Sequence, residues 1–295
     1  MSATAQDQSG HPARPGPALL AACCLVGGLL LWIYVPHLFS MAKNWWTDPN
    51  YSHGFMVPVV SAWLVWRGRK SLLALPQRPC AWGLLVLAAG LTVLLVGQLA
   101  QEFFLRRISL LPVLWGLLLT YGGWAWARRL LFPVAYLALM VPLPYVVYDS
   151  VAFPLRLLAA SLAGWGLRLL GYPVLVEGNV IHLPSVVMDV VDACSGIRSL
   201  ISLLAVGVIL AHLMLSSRWR QVLLVALVPP VAMLANALRV LITGVLAERL
   251  GEAVIKGATH DFVGWLVFMA GFVILLGITS LLRGPEPGGG AGHGK

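Results

Sequence analysis

An all-α membrane protein crossing the bilayer about eight times is what this sequence predicts, and three observations carry the prediction. Only 11% of the 295 residues are charged and 59% are hydrophobic, whereas soluble domains carry roughly 25% charged residues. Uncharged runs close to the ~20 residues needed to cross hydrocarbon recur along the chain. The basic residues fall in short clusters between those runs, as a membrane topology signal requires. They do not gather on one polar face, so the net charge of +9 argues for no nucleic-acid partner.

The runs are 18–35, 51–66, 80–100, 108–127, 130–148, 199–217, 221–247 and 262–282. The first is too long for the core of a cleaved signal and others follow it, so it reads as a retained helix. The second is short and contains Pro58, which leaves a re-entrant segment as the alternative to a full crossing. The seventh is interrupted by Arg239. Residues 1–17, polar with Pro and Gly, read as a disordered cytoplasmic tail, 18–283 as the membrane domain, and the Gly-rich 284–295 as a flexible cytoplasmic tail.

Charge orients the spans. With the N-terminus inside, the inner segments hold eleven of the 20 Lys and Arg residues but only two acids, Asp7 and Glu286, whereas the outer segments hold nine of each sign. That asymmetry fixes an N-in, C-in orientation with eight spans. It also supports the short second span, without which the alternation fails.

Between spans five and six lies a longer outer segment. Residues 151–170 carry Arg156 and Arg168 among Leu, Ala and Val, the pattern of a helix lying in the membrane interface. Two β-prone runs then flank Glu177-Gly178-Asn179, which reads as a small hairpin.

Polar groups inside apolar helices cost about 2.5–3.5 kcal/mol on insertion scales, so each is a functional candidate. Of the four cysteines, Cys23, Cys24 and Cys80 sit in or at the edge of apolar runs without polar company. No CxxC spacing occurs, so neither a metal site nor a redox motif is indicated, and no cofactor is expected. Cys194 differs, because it stands in Asp192-Ala-Cys-Ser-Gly-Ile-Arg198 at the start of span six. If Asp192 caps the helix, Cys194 falls in its first turn, where free N–H groups and the helix dipole favour a thiolate. Arg198 follows at i+4 on the same face, and a small core cysteine is the plain alternative. In span seven, Asn236 and Arg239 share a face at i, i+3, although an Arg near a helix end also snorkels to the interface. His260, in Thr259-His-Asp261 entering span eight, titrates near neutrality and suits acid–base work. His53, in Tyr51-Ser-His-Gly54, begins span two and either lines the same pocket or packs at the interface.

The charge-derived orientation puts Cys194, Arg239 and His260 in one leaflet. A nucleophile, a cation and a base then meet in one membrane-level pocket.

These residues also carry a resemblance. Asp48-Pro-Asn-Tyr-Ser-His-Gly54, Ala193-Cys-Ser-Gly-Ile-Arg-Ser-Leu200, Asn236-Ala-Leu-Arg239 and His260-Asp-Phe-Val-Gly-Trp265 resemble, in order and spacing, the exosortases of the exosortase/archaeosortase family of membrane transpeptidases. The likeness covers nearly the whole chain outside the tails. It implies catalytic roles for Cys194, Arg239 and His260, leaves Arg198, Asn236 and His53 as candidate substrate-binding residues, and places the site on the periplasmic face of a bacterial inner membrane. It further implies a substrate class: exported proteins ending in a Pro-Glu-Pro signal, an apolar helix and a basic tail, often alongside exopolysaccharide production. This chain's own Pro285-Glu-Pro287 follows the last span on the inner side and is a coincidence.

Two other classes compete on the residues alone. A small-solute transporter predicts polar groups along a whole transit path, but here they gather toward one face. A membrane acyl- or glycosyltransferase of polysaccharide assembly would more often use paired carboxylates or a metal, and the sequence suggests neither.

Overall fold

The computed structural model describes residues 17–190, 196–251 and 258–283, with side chains from Leu25 onward, those of Ala258 and His260 excepted. The described residues form a helical bundle. Its helices are α1 (Pro17–Thr47), α2 (Met56–Leu73), α3 (Trp82–Leu99), α4 (Phe103–Ile108), α5 (Leu110–Tyr136), α6 (Tyr145–Leu169), α7 (Ile197–Met214), α8 (Arg218–Leu250) and α9 (Ala258–Arg283). Seven stretches are long and apolar enough to cross a membrane, the longest being Phe103–Met140. The stretch expected as the second span is not among them. Its helix starts at Met56, after a 3-10 helix over Pro49–Phe55, and Arg67, Arg69 and Lys70 occupy its far end.

Phe103–Met140 is not one straight rod. At Gly123 the backbone takes φ 75° and ψ −170°, which breaks α5. Trp115 Nε1 donates to Ala127 O at 3.1 Å, although a straight helix would separate residues 12 apart by about 18 Å. The chain therefore doubles back at Gly123. Only glycine takes this conformation readily, and a Cβ there would collide with the Arg78 carbonyl. Sequence reasoning put this turn at Arg128 and Arg129, but both lie within the returning half of α5.

Packing along the outgoing half is set by glycine spacing. Gly83, Gly90 and Gly97 of α3 meet Thr120, Val113 and Arg106 in reverse order, so the two stretches run antiparallel with backbones almost touching. Small residues allow that approach where no hydrophobic effect drives helices together.

α6 starts at Tyr145, six residues earlier than expected, directly after Pro144, and, although expected to lie in the interface, Tyr145–Leu169 is among the seven stretches long and apolar enough to cross a membrane. Near its start Tyr148 meets Tyr51 of the 3-10 helix. Near its end Ala159, Ala160, Ala163 and Leu167 pack with Val240 and Ala247 of α8 and with the strands that follow. Strands β1 (Leu175–Glu177), β2 (Val180–His182) and β3 (Val187–Asp189) form an antiparallel sheet in the order β1-β2-β3. The hairpin expected at Glu177-Gly178-Asn179 is there, with Glu177 paired to Val180 and Gly178 at φ 63°. The third strand is additional. Ser185 N and Oγ donate to the Glu248 carboxylate at 3.2 and 2.9 Å, and Arg249 Nε donates to Tyr172 Oη at 3.1 Å. All three bonds tie the segments flanking the strands to the end of α8.

α1 runs through Pro36 and α8 through Pro229 and Pro230, as membrane helices permit when neighbours satisfy the freed carbonyls.

Candidate active site

A cavity of about 770 Å³ opens at one end of the bundle. It is walled by the 3-10 helix and start of α2, by the first turns of α7, by Arg239 of α8 and by the start of α9. Four segments distant in sequence thus converge on one space.

Each wall has a local cause. Asp48 caps the 3-10 helix, its carboxylate accepting from Asn50 N at 2.9 Å. Gly54 lets that helix lie against the Trp45 indole, where any side chain would clash, and Trp45 Nε1 donates to Met140 O at 2.9 Å. His53 Nε2 donates to Leu139 O at 3.1 Å. Burial holds its imidazole below the usual histidine range, against the opposing pull of backbone hydrogen bonds. Desolvation disfavours its charged form.

α7 opens at Ile197 with Gly196, not Asp192, at the N-cap, and Gly196 takes φ 78°. Asp192 and Cys194 lie outside the described residues. Arg198, in the first turn, donates from Nε to Asn50 Oδ1 at 3.3 Å, which docks the 3-10 helix on α7. Ser199, Ser202, Ala205, Val206 and Ile209 continue down the same face into the cavity, at the three- and four-residue spacing of a helix.

α8 supplies the buried polar side chains Asn236, at 2% exposure, and Arg239, at 6%. Each is seated on a glycine. A Cβ on Gly196 would meet the Asn236 amide carbon at 2.8 Å, and one on Gly264 would meet the Arg239 guanidinium carbon at 2.8 Å. Asn236 therefore lies against the segment two residues past Cys194, and Arg239 against α9 one turn past His260. The backbone of His260 is helical in α9, and its neighbour Asp261 lines the cavity with Gly264 and Trp265.

Of the residues singled out from the sequence, His53, Arg198 and Arg239 line the cavity directly, and Asn236 packs beside it on Gly196. Sequence reasoning gave no role to Asn50, Ser199, Ser202 or Asp261. The stripe of small polar residues following Arg198 was a readable signal for the two serines. The Asn50–Arg198 contact spans 148 positions and left no trace in either local pattern. Among the described residues no three His, Cys, Asp or Glu side chains group as metal ligands.

The family model described as transmembrane exosortase, Exosortase_EpsH, matches residues 45–277. The chain belongs to the transmembrane exosortase family. The match begins at Trp45, which seats Gly54, and ends within α9, so every wall of the cavity lies inside the exosortase region. No curated protein and no solved structure matches the chain. The two glycine seats give this exosortase's sequence motifs a physical meaning: each pairs a side chain of α8 with a position where a neighbouring helix carries none.

Proposed function

We propose that this exosortase is a membrane cysteine endopeptidase and transpeptidase. It cleaves the C-terminal Pro-Glu-Pro sorting signal of exported proteins at the outer face of the bacterial inner membrane and passes them to an acceptor, in connection with exopolysaccharide production. The observation that carries the reading is the convergence of Arg239 with the chain segments adjoining Cys194 and His260 on one 770 Å³ cavity.

The chemistry follows from those three groups. The Cys194 thiolate bonds to the scissile carbonyl carbon, and the Arg239 guanidinium stabilises the negative charge that develops on oxygen. The C–N bond breaks as His260 gives its proton to the leaving amine, which leaves a thioester on Cys194. An amine or water then attacks that carbonyl, giving its proton to the now neutral His260, and the electron pair of the C–S bond returns to sulfur. A planar guanidinium, always charged and able to give two parallel hydrogen bonds, suits the oxyanion role better than an ammonium.

The test is processing of a Pro-Glu-Pro-tailed reporter in cells. Cys194→Ala is expected to abolish processing at unchanged membrane insertion, and Arg239→Lys to impair it severely. Continued cleavage by Cys194→Ala would reject thiol chemistry.

A further inference from the structure

A second cavity, about 540 Å³ in volume, lies on the other side of the 3-10 helix. Its walls come from the end of α1, from α4 and from the Pro142–Tyr148 segment. The 3-10 helix acts as a partition. Pro49, Ser52 and His53 face the candidate active site, while Asp48, Asn50 and Tyr51 face the second cavity. Asn50 belongs to both neighbourhoods, because its side-chain oxygen accepts from Arg198.

Arg107 of α4 lines this second cavity and is only 6% exposed. Its hydrogen-bond partners are neutral. Its Nη2 donates to Ser40 Oγ at 3.0 Å, and with the Asn44 amide turned to satisfy its neighbours, Nη1 donates to the amide oxygen at 3.2 Å. The Phe103 ring lies 5.6 Å away. Two carboxylates border the cavity; each accepts from backbone N–H groups, and Glu102 acts on Arg107 through space without a direct ion pair. Glu102 accepts from Phe104 N at 2.7 Å and Leu105 N at 3.2 Å, capping α4. Asp48 accepts from Asn50 N. Among the described residues no ion pair includes Arg107.

A buried guanidinium that makes no direct ion pair is costly, and bordering a cavity it is poised to accept an anion in two-pronged fashion. The remaining walls are flat and apolar: Tyr51, Phe103, Phe104, Pro142, Pro144 and Tyr145. Such walls suit a carboxylate carried on an extended peptide better than a free inorganic anion. The partition is one helix thick, about 10 Å, which an extended chain crosses in about three residues.

From this geometry we infer that Arg107 seats the carboxylate of an acidic side chain in the polypeptide processed at the neighbouring cavity. The acidic residue lies a few positions from the bond that is cut. The inference rests on the proposed proteolytic function for the identity of the peptide, and it assigns Arg107 to recognition, not to bond breaking.

Binding, read without turnover, tests it. The full-length protein in phosphatidylcholine nanodiscs is titrated against a fluorescent peptide containing Pro-Glu-Pro and against its Pro-Gln-Pro twin, with anisotropy as readout. The wild type is expected to favour the Glu peptide by about tenfold to a hundredfold, the range of a charge-assisted hydrogen-bond pair. Arg107→Gln should erase that preference by weakening the Glu peptide alone, and Arg107→Lys should keep part of it. Equal binding of the two peptides by the wild type, or no binding of the Glu peptide, overturns the inference without any variant having to fold. Loss of the preference when phosphatidylglycerol replaces phosphatidylcholine overturns it in favour of an anionic lipid headgroup. A Glu preference without cleavage would sink the proposed function and leave the seat standing. Cleavage without a Glu preference would do the reverse.

Discussion

Gly264→Ala separates the geometry of the site from the stability of the fold. The new methyl carbon would lie 2.8 Å from Arg239 Cζ and Nη2 and 3.0 Å from Nε. Ordinary contact begins near 3.4 Å, so a shift of about 0.6 Å or more is forced. All three atoms belong to the far end of a flexible side chain, so the guanidinium moves and the helices stay. Because α9 is helical through 264, alanine also adds about 1 kcal/mol of helix propensity. The variant should unfold at the same temperature as the wild type or higher. Its cleavage of a Pro-Glu-Pro reporter should nonetheless fall by about tenfold to a hundredfold, the cost of displacing a positioned group by a fraction of an ångström to one ångström. The assay pairs kcat/KM on a reporter peptide with thermal unfolding in the same detergent. Full activity at unchanged stability would show that the position of the Arg239 guanidinium is immaterial and would refute the reasoning.

Three further outcomes follow. Gly196→Ala combines a left-handed backbone with a Cβ 2.8 Å from Asn236, so it should lower both activity and thermal stability, the latter by about 1–2 kcal/mol in unfolding measurements. Gly123→Ala meets the Arg78 carbonyl at φ 75°, and backbone cannot yield as a side chain can; loss of monodisperse protein on size exclusion is expected. In a double-mutant cycle on thermal stability, Asn50→Ala and Arg198→Met should couple by about 0.5–1.5 kcal/mol through their 3.3 Å bond.

Much of the architecture could be read from composition, because lipid demands long apolar helices whatever their packing. Turn placement was less legible. Arg128 and Arg129 mark an inner boundary by charge, but the chain reverses five residues earlier, where glycine permits it. The two arginines tolerate a place inside the helix because Arg128 stacks over Trp124 at 5.6 Å and Arg129 donates to Ser71 at 3.0 Å. The Glu-Gly-Asn hairpin was legible because its turn needs a positive φ that Gly178 supplies. β3 was not, since three residues pairing across Leu183–Val186 make no alternating pattern long enough to see. Of the site, charge bookkeeping named Cys194, Arg239 and His260 as neighbours; among the described residues the cavity is lined by Arg239 together with Arg198 and His53, which helix spacing and a short motif had singled out. Arg107 was passed over because its burial depends on the distant Ser40 and Asn44, not on its own neighbours.

α8 continues eleven residues past Arg239 and ends in the bonds that carry the small sheet. A helix is stiff on that scale, so the strands and the guanidinium ride on one shaft. A label fixed to exposed Val187 would therefore report tilting of that shaft at a distance, without a probe in the cleft.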